Sequence, residues 1–344
     1  MATPQRILVI RLGAMGDVAM CVPVLLAFKR ANPQVEIVTL SRKQTNHILS
    51  QINGITVVEA RVLDVHKGIS GIYKLAKELQ KHNITAVADL HNVLRSKILR
   101  FFMTGTKKAA LDKGRDAKNK LINDPAFFEQ LPHTTDRYAA VFRKLGYDIT
   151  LNGTEFLPKI LIDKTIEQLL TNLPVKRVGI APFAAHKPKS LTVSRAKQLV
   201  EAVSKLPQVE VLLYGGGDKE TQELEKLATG LPNVVSLAGK TDFKAQLSTI
   251  SNLDCMIAMD SGNGHLAAMY GVPVITIWGN THPYAGFAPY AQPSENQLTA
   301  DRSVFPSIPT SIFGNKELQG YTTATDSFAM KQVLDRVARI LRGD

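Results

Sequence analysis

The sequence predicts an α/β protein made of two doubly wound domains, each built around a parallel sheet. Short β-branched runs alternate along the chain with longer segments of helical periodicity, which is typical of successive βαβ units. The alternation is interrupted near the middle of the chain and then begins again. At 344 residues, of which 44% are hydrophobic, the chain is also longer than one compact domain usually needs.

The first series of elements begins at a β-branched run near the N-terminus. Each strand that is followed by a helix predicts a right-handed crossover to the next parallel strand. In chain order we predict a strand at 6–12, a helix at 20–33, a strand at 35–41, a helix at 70–83, a strand at 84–90, and helices at 92–102 and 136–148.

The second series repeats this order. We predict strands at 177–183, 209–216, 234–239, 254–259 and 272–279, with helices at 192–207, 219–232 and 243–253 between them. Residues 1–158 are therefore expected to form an N-terminal domain and 159–325 a C-terminal one, joined near 155–176. Residues 283–325 are rich in Pro, Ser, Thr and Gly and are expected to be loop. The tail 326–344 is predicted to be a helix that could close on either domain; we assign it to the N-terminal one.

Composition limits the cellular setting and the partners. No stretch approaches the roughly eighteen apolar residues of a membrane span, and the first apolar run lacks a small-residue cleavage site, so we predict a cytoplasmic protein. Cys21 and Cys255 lie in apolar runs and indicate neither a disulfide nor a metal site. The net charge of +12 favours anionic partners. Because aromatic residues are only 6%, phosphate-bearing small molecules or lipid headgroups fit at least as well as nucleic acid, which we do not expect as a partner.

The turn after the first strand, RLGAMGD at residues 11–17, is one candidate site, since ligands of open parallel sheets bind at the carboxyl ends of strands. Gly13 and Gly16 permit close approach of a ligand to the backbone. They match the dinucleotide fingerprint only in part, and no acid ends the second strand, which disfavours NAD. Asp17 is either a helix cap or a catalytic base, and the residues alone leave both roles open.

A sharper candidate is the stretch IAMDSGNGHLAAMYG at residues 257–271. Ser261, Gly262 and the small residues after them let backbone N–H groups point out of a turn at a helix start, which is typical of a phosphate site. Asp260 and His265 can fix this loop or contact the ligand. The alternative is a tight βα turn with a capping Asp and a packed His, which the density of small residues disfavours.

Charged residues on the neighbouring turns extend the predicted phosphate site. Lys189, in KPKS beside a helix start, is a candidate to bind a leaving phosphate, whereas we expect Lys187 to be solvated. Glu220 or Asp218 could accept hydrogen bonds from ribose hydroxyls. No Asp-x-Asp pair occurs in the chain, so the sequence indicates no metal ligands for a diphosphate.

Together these motifs resemble those of the ADP-heptose:lipopolysaccharide heptosyltransferases, glycosyltransferase family 9. Asp260-Ser-Gly-Asn-Gly-His265-Leu-Ala-Ala, followed by GVPVITIWG, is similar to the family signature D-[ST]-G-x-x-H-L-A-A. RLGAMGD-x5-P resembles its N-terminal motif, DLHNVLRS its acceptor-side segment, and LAGKTD the turn that holds the base. The likeness covers roughly residues 6–290. It implies a GT-B fold: two Rossmann-like domains facing across a cleft, with the acceptor on the N-terminal domain and the nucleotide sugar on the C-terminal one.

The resemblance also implies roles for single residues. Asp17 matches the catalytic base. The donor-binding positions of the family fall on Lys189 (phosphate), Glu220 (ribose), Thr241 (near adenine), and Asp260, Ser261, Gly262 and His265 (diphosphate). On the acceptor side we assign Arg11, Gly13, His91 and Arg95, with the two arginines and His91 as cations that hold acidic sugars or phosphates.

Two departures from the family pattern concern the donor. The family usually has K-[RH]-W-P where this chain has Lys189-Ser-Leu-Thr192, and Ala184 and Ala185 stand where two small hydroxyls often precede that lysine. The Cys-containing C-terminal segment of some relatives is also missing. The donor phosphate would then be held more through backbone N–H groups, or a different nucleotide sugar would be used.

The expected function is inverting, metal-independent transfer of a heptose or related sugar from an ADP-sugar to an anionic lipopolysaccharide-core acceptor, with no cofactor. Asp17 would deprotonate the acceptor hydroxyl, and the diphosphate would leave against Lys189 and the helix start at 261–265. The protein would contact the cytoplasmic face of the inner membrane peripherally. Two alternatives stay open: a sugar-nucleotide epimerase of GT-B fold, and a decayed relative that binds without catalysis.

Overall fold

A computed structural model describes residues 5–171 and 175–343. The chain divides into two compact units: the first takes the chain up to Gly114 and then Pro132–Leu157, and the second takes Arg115–Leu131 and the chain from Pro158 onward. Each unit contains one parallel sheet with helices, so the predicted α/β class with two doubly wound domains is confirmed. Within the described residues no helix is long and apolar enough to cross a membrane.

The first unit has five parallel strands in the order β3-β2-β1-β4-β5. The strands are β1 (Arg6–Ile10), β2 (Glu36–Ser41), β3 (Ile55–Glu59), β4 (Ala86–Asp89) and β5 (Lys107–Ala110). The helices in this part of the chain are α1 (Met15–Ala19), α2 (Cys21–Ala31), α3 (Lys43–Leu49), α4 (Gly68–Gln80), α5 (Leu94–Phe102), α6 (Arg115–Asn123), which belongs to the second unit, and α7 (Thr134–Lys144).

In the first unit, α4 and α5 each turn one apolar face toward the sheet. Leu8 and Ile10 of β1 are fully buried and pack with Ile72, Leu75 and other inward residues of α4 and α5. These apolar residues recur at helical spacing, so one face of each helix covers the sheet. Because helices cover the sheet, its central strands are apolar on both faces, as parallel strands usually are.

The second unit has six parallel strands in the order β11-β10-β9-β6-β7-β8. The strands are β6 (Lys176–Ala181), β7 (Val209–Leu213), β8 (Val234–Ser236), β9 (Cys255–Met259), β10 (Val274–Trp278) and β11 (Gln297–Thr299). The helices are α8 (Lys164–Glu167), α9 (Val193–Ser204), α10 (Asp218–Ala228), α11 (Phe243–Ile250), α12 (Gly262–Ala268) and α13 (Met330–Arg342).

Two segments differ from the expected domain assignment. The segment 115–131 follows the N-terminal strands in sequence, yet it belongs to the second unit, where Leu121 and Leu131 pack in one apolar cluster with Ala285 and Ile312. Helix α13, assigned to the N-terminal domain, also packs on the second unit. Its Val333 and Val337 are fully buried in the core beside β9 and β10. The single apolar face of the helix is thereby removed from water.

Several elements are absent from the sequence-based prediction. The edge strands β3 and β5 were not predicted; β5 begins with two exposed lysines, because an edge strand needs no continuous apolar run. The expected loop 283–325 contains β11 and three short 3-10 turns. The expected linker contains the short helix α8, and its residues 172–174 lie outside the described part of the chain.

Candidate active site

The predicted site residues fall at equivalent points of the two sheets. In the first sheet the strand order reverses between β1 and β4, and in the second between β6 and β9. Ligands of open α/β sheets bind outside the carboxyl ends of the strands at such switch points. The turns after β1 and β4 carry the expected acceptor residues and the expected catalytic base, whereas the turns after β6 and β9 carry the expected phosphate-binding residues of the donor site.

An ion pair between Arg11 and Asp17 organises the first switch point. Arg11 is only 8% exposed, and its Nη1 also donates to the carbonyl of Leu90 at 2.6 Å. Oδ2 of Asp17 accepts from the N–H of Ala14 at 3.1 Å, which closes the first turn of α1. The capping contact is therefore present. The Asp17 side chain keeps 26% of its surface exposed, so a substrate hydroxyl can reach it, and its role as a base stays a prediction.

His91 is a neutral hydrogen-bonding group at this point. Its Nδ1 accepts from the N–H of Leu12 at 3.0 Å. Burial lowers the pKa of His91 to about 4, and repulsion by Arg11 and Lys113 acts in the same direction. At neutral pH the ring therefore carries its proton on Nε2. His91 therefore offers an N–H donor rather than a positive charge, and its role in binding the acceptor stays a prediction.

Two further residues follow β4. Asp89 is fully buried, and both of its carboxylate oxygens have partners. Oδ1 accepts from the N–H groups of His91 at 3.0 Å and Asn92 at 2.8 Å, and Oδ2 lies 3.0 Å from Nε of Arg100. It therefore holds the turn that carries His91. Arg95 lies half-buried in the first turn of α5 and forms no ion pair with any described residue.

Gly13 and Tyr138 shape the turn between β1 and α1. Gly13 has φ of +138°, a conformation that other residues rarely adopt. Tyr138, on α7, is fully buried, and its ring centroid lies 5.6 Å from the Arg11 guanidinium carbon. Its hydroxyl donates to the backbone carbonyl of Asp17 at 3.5 Å. Tyr138 was not predicted from the sequence. An aromatic side chain with a hydroxyl, at a position of α7 that faces inward, could have indicated it.

At the second switch point Lys189 and Asp260 come together. The Nζ of Lys189 lies 3.3 Å from Oδ2 of Asp260, and the two side chains are only 15% and 12% exposed. They are neighbours because Lys189 follows β6 and Asp260 follows β9, and these strands are paired. Thr281, which the sequence analysis did not identify, donates to the same Oδ2 at 3.0 Å. Lys187 is exposed, as expected.

The loop after Asp260 contains a buried hydroxyl. Ser261 precedes α12, and its Oγ is buried without a hydrogen-bond partner among the described residues. Such a donor beside the free N–H groups of a helix start suits a phosphate oxygen. Gly264 packs closely, since a Cβ there would lie 3.4 Å from the Val274 side chain. His265 is 8% exposed in the same helix.

The carbonyl of Pro188 fixes the turn that carries Lys189. It accepts from Nδ2 of Asn280 at 3.1 Å, from the backbone N–H of Asn280 at 3.4 Å, and from Oγ1 of Thr325 at 3.1 Å. Asn280 and Thr325 are almost fully buried. We describe these two residues as the Pro188 clamp, which positions Lys189 from elements far away in sequence.

The residues that depart from the family pattern stabilise the same turn. Oγ of Ser190 accepts from the N–H of Ala184 at 2.9 Å and donates to its carbonyl at 3.2 Å. Thr192 caps α9 by accepting from the N–H of Arg195 at 3.2 Å, and its hydroxyl donates to Asp326 at 2.6 Å. The altered residues therefore have defined structural roles.

The remaining donor residues lie on the turns after β7 and β8. Oε2 of Glu220 accepts from the N–H of Gly216 at 3.0 Å, so the carboxylate lies over the glycine turn. A Cβ on Gly215 would lie 2.7 Å from Cδ1 of Leu224 and 2.9 Å from Oε2 of Glu220, so the side chains pack closely on this turn. Thr241 is half-buried, and its hydroxyl donates to the carbonyl of Leu237 at 3.3 Å.

Metal ligands are not grouped anywhere in the part of the chain that the structure describes. Across residues 5–171 and 175–343, no cluster of three or more His, Cys, Asp or Glu residues could hold a metal ion.

Cys21 and Cys255 are buried free thiols, and burial raises the pKa of each to about 12. These thiols are therefore not thiolates at neutral pH.

The chain is similar to known glycosyltransferases in sequence and in fold. The sequence pattern of glycosyltransferase family 9 (heptosyltransferase) matches residues 72–308. The lipopolysaccharide core heptosyltransferase OpsX of Haemophilus influenzae is 23% identical over 302 residues, which cover 83% of this chain and 82% of that protein. Lipopolysaccharide heptosyltransferase 1 of Campylobacter coli is 25% identical over 297 residues, 81% of this chain and 85% of that protein.

Solved structures show the same fold. A family 9 glycosyltransferase from Veillonella parvula superposes with a TM-score of 0.78 at 17% identity, covering 100% of this chain and 99% of that one. The heptosyltransferase WaaC of E. coli, solved with ADP, gives a TM-score of 0.70 at 18% identity and covers 98% of this chain and 100% of that one. The fold class is therefore that of the GT-B heptosyltransferases.

Proposed function

The chain belongs to glycosyltransferase family 9, and from that membership we propose that it moves a heptose or a closely related sugar from an ADP-sugar to an anionic lipopolysaccharide-core acceptor. That it is a glycosyltransferase of the heptosyltransferase type follows from the family. The donor nucleotide, the acceptor, the inverting course and independence from metal are the proposed part.

One observation carries the proposal: the half-buried Lys189–Asp260 pair at the switch point of the second sheet. It joins the strand end after β6 to the family signature after β9. A lysine ammonium held there, next to the unpartnered hydroxyl of Ser261, is suited to bind the diphosphate of a nucleotide sugar.

In the proposed reaction the nucleoside diphosphate is the leaving group. As the bond from the anomeric carbon to the phosphate oxygen breaks, negative charge grows on that oxygen. Lys189, the Ser261 hydroxyl and the N–H groups at the start of α12 stabilise this charge. Asp260 holds the ammonium in place, and the Pro188 clamp holds the turn. We assign the ribose to Glu220 and the base to the turn at Thr241.

The attacking group is a hydroxyl of the acceptor sugar. Asp17 accepts its proton as the oxygen attacks the anomeric carbon from the face opposite the leaving group, which inverts the configuration. The ion pair with Arg11 orients the Asp17 carboxylate. General-base assistance of this kind contributes about a hundredfold to ten-thousandfold in rate.

The acceptor is proposed to be anionic because the turns and helix starts after β1 and β4 of the first unit carry cations and a neutral donor. Arg95 has no ion-pair partner among the described residues, and Nε2–H of His91 is a neutral donor. Arg11 is already paired with Asp17, so we assign it to orienting the base and Arg95 to the acidic group of the acceptor.

The test is a transfer assay with matched ADP-, UDP-, GDP- and CDP-sugars and a heptose-deficient core glycolipid, with products identified by mass spectrometry. We expect transfer from the ADP-sugar, inverted anomeric configuration by NMR, and an unchanged rate in excess chelator. Conversion of the donor without acceptor would support an epimerase instead. Loss of activity in chelator that magnesium restores would overturn the proposed stabilisation of the leaving group by Lys189.

A further inference from the structure

The outward faces of α4 and α5 carry large apolar side chains where solvated helices usually carry polar ones. Ile69 is 65% exposed and Tyr73 48% exposed on α4, and Leu94 is 74% and Phe101 75% exposed on α5. The inward residues of these helices already cover the sheet, so the exposed side chains are not needed for its core. We call this surface the α4–α5 face.

The four apolar residues lie on adjacent stripes. Ile69 and Tyr73 are one helical turn apart on α4, and Leu94 and Phe101 are two turns apart on α5. The two helices are linked by Tyr73 and Phe102, whose ring centroids lie 5.2 Å apart. Tyr73, Phe101 and Phe102 also line one shallow pocket of about 260 Å³, so the face is continuous across both helices.

Basic residues predominate in the part of the chain that contains the α4–α5 face. Residues 67–108 contain nine lysines and arginines but only two acids, Glu78 and Asp89. Asp89 is buried beside Arg100, and Glu78 contacts His66. Exposed lysines lie on or beside both helices: Lys74, Lys77, Lys81 and Lys97. The single acid within α4 and α5, Glu78, keeps 41% of its side-chain surface exposed.

We propose that the α4–α5 face docks on the surface of an anionic phospholipid bilayer. Leucine, isoleucine and aromatic side chains enter the boundary between headgroups and acyl chains, while lysines around them pair with lipid phosphates. Neither feature alone would be sufficient, since apolar residues also suit a second protein and lysines also suit soluble anions. Their combination, with lysines outnumbering the single acid of the two helices, fits an anionic membrane surface.

This inference assigns a surface to the peripheral contact of the proposed function and rests on that function for its biological setting. Its test is independent of sugar transfer. Sedimentation with phosphatidylglycerol/phosphatidylcholine vesicles, containing neither sugar donor nor glycolipid, measures binding. We expect binding that falls steeply with salt and is much weaker to pure phosphatidylcholine. Phe101→Ser should weaken it about tenfold, and Lys74→Glu/Lys77→Glu at least tenfold.

Matched controls are available on the second unit. Phe313→Ser changes an aromatic residue that is 61% exposed, and Lys159→Glu/Lys205→Glu reverses two exposed lysines. These controls should bind vesicles like the unaltered protein, and all variants should keep its melting temperature. Equal loss in controls and test variants, or no preference for anionic vesicles, would overturn the proposal. The proposal would also be overturned if vesicle binding were absent and light scattering showed a dimer that Phe101→Ser dissociates.

Transfer to a deacylated, water-soluble acceptor separates this proposal from the transfer reaction. The α4–α5 variants should retain full activity on it and lose activity only on acceptor presented in vesicles. A protein that binds anionic vesicles through this face but transfers no sugar would contradict the proposed function and leave the docking surface supported. Full transfer without vesicle binding would contradict only the docking surface.

Discussion

The two switch points share one topology and differ in what their charged groups contact. In the first unit, Arg11 and Asp17 pair with each other, and His91 is neutral. In the second, Lys189 and Asp260 form a half-buried pair next to the Ser261 hydroxyl, which has no hydrogen-bond partner among the described residues. The first arrangement orients a carboxylate, and the second supplies donors for an anion. A shared fold therefore sets where chemistry takes place, and side chains decide which chemistry it is.

Asp17→Asn is expected to give the largest effect, because it removes the base of the first unit and leaves the second unit intact. The amide cannot accept a proton at neutral pH. The turnover number should fall about a hundredfold or more, while the donor dissociation constant stays the same. Since Asn keeps the capping oxygen but leaves buried Arg11 without its partner, the melting temperature should fall by several degrees.

Asp64→Asn is the matched control, because it breaks an exposed Arg–Asp pair in the same unit. It should leave turnover and melting temperature nearly unchanged. If Asp17→Asn transfers sugar at more than about a tenth of the original rate, Asp17 serves only as a helix cap and the two switch points differ less than we propose.

Lys189→Met should affect the donor side alone. Removing a charged donor from a buried site costs about tenfold to a hundredfold in affinity. Isothermal calorimetry should show this loss for ADP, with an unchanged Michaelis constant for the acceptor. Lys187→Met, an exposed neighbour, is the control and should bind ADP normally. Equal effects of both variants would remove the special role of the second switch point.

Thr325→Val should have a smaller effect on the same side. It removes one of the hydrogen bonds to the Pro188 carbonyl and keeps the shape of the buried side chain. A single neutral hydrogen bond contributes about 1 kcal/mol, so ADP affinity should fall about fivefold. Ser327→Ala, which removes a local hydroxyl contact nearby, is the control. An unchanged affinity would show that Lys189 does not depend on the Pro188 clamp.

The smallest expected effect is a pH dependence that the two units share. Burial lowers the pKa of His91 in the first unit and of His282 in the second to about 4, from the ordinary 6.5. The unfolded chain therefore binds these protons at higher pH than the folded one. Each histidine contributes stability that is complete above about pH 6.5 and is lost as the pH falls toward 4.

His91→Asn and His282→Asn should each reduce the drop in melting temperature between pH 7 and pH 5 by a few degrees. Asparagine keeps an acceptor for the Leu12 and Tyr284 N–H groups, respectively. His47→Asn, which changes an exposed histidine of the first unit, is the control. A pH dependence that none of the variants changes would mean that other groups cause it.

Much of the fold follows from local patterns. The β-branched runs and helical periodicities gave both sheets, because side-chain period reflects which faces of an element are buried. The edge strand β5 was missed, since its exposed lysines carry no such pattern. The motif after β9 identified Asp260 and Ser261, because glycines and a small hydroxyl at a helix start have a chemical meaning without knowledge of distant residues.

The sequence by itself determined the two doubly wound domains, the turns that carry the candidate residues and the family resemblance. Only the tertiary structure decided that Arg11 pairs with Asp17, that Thr325 and Asn280 hold the turn of Lys189, and that segment 115–131 belongs to the second unit. It also decided that His91 is neutral. Ion pairs, clamps and pKa shifts depend on burial and on partners far away in sequence, which no local pattern specifies.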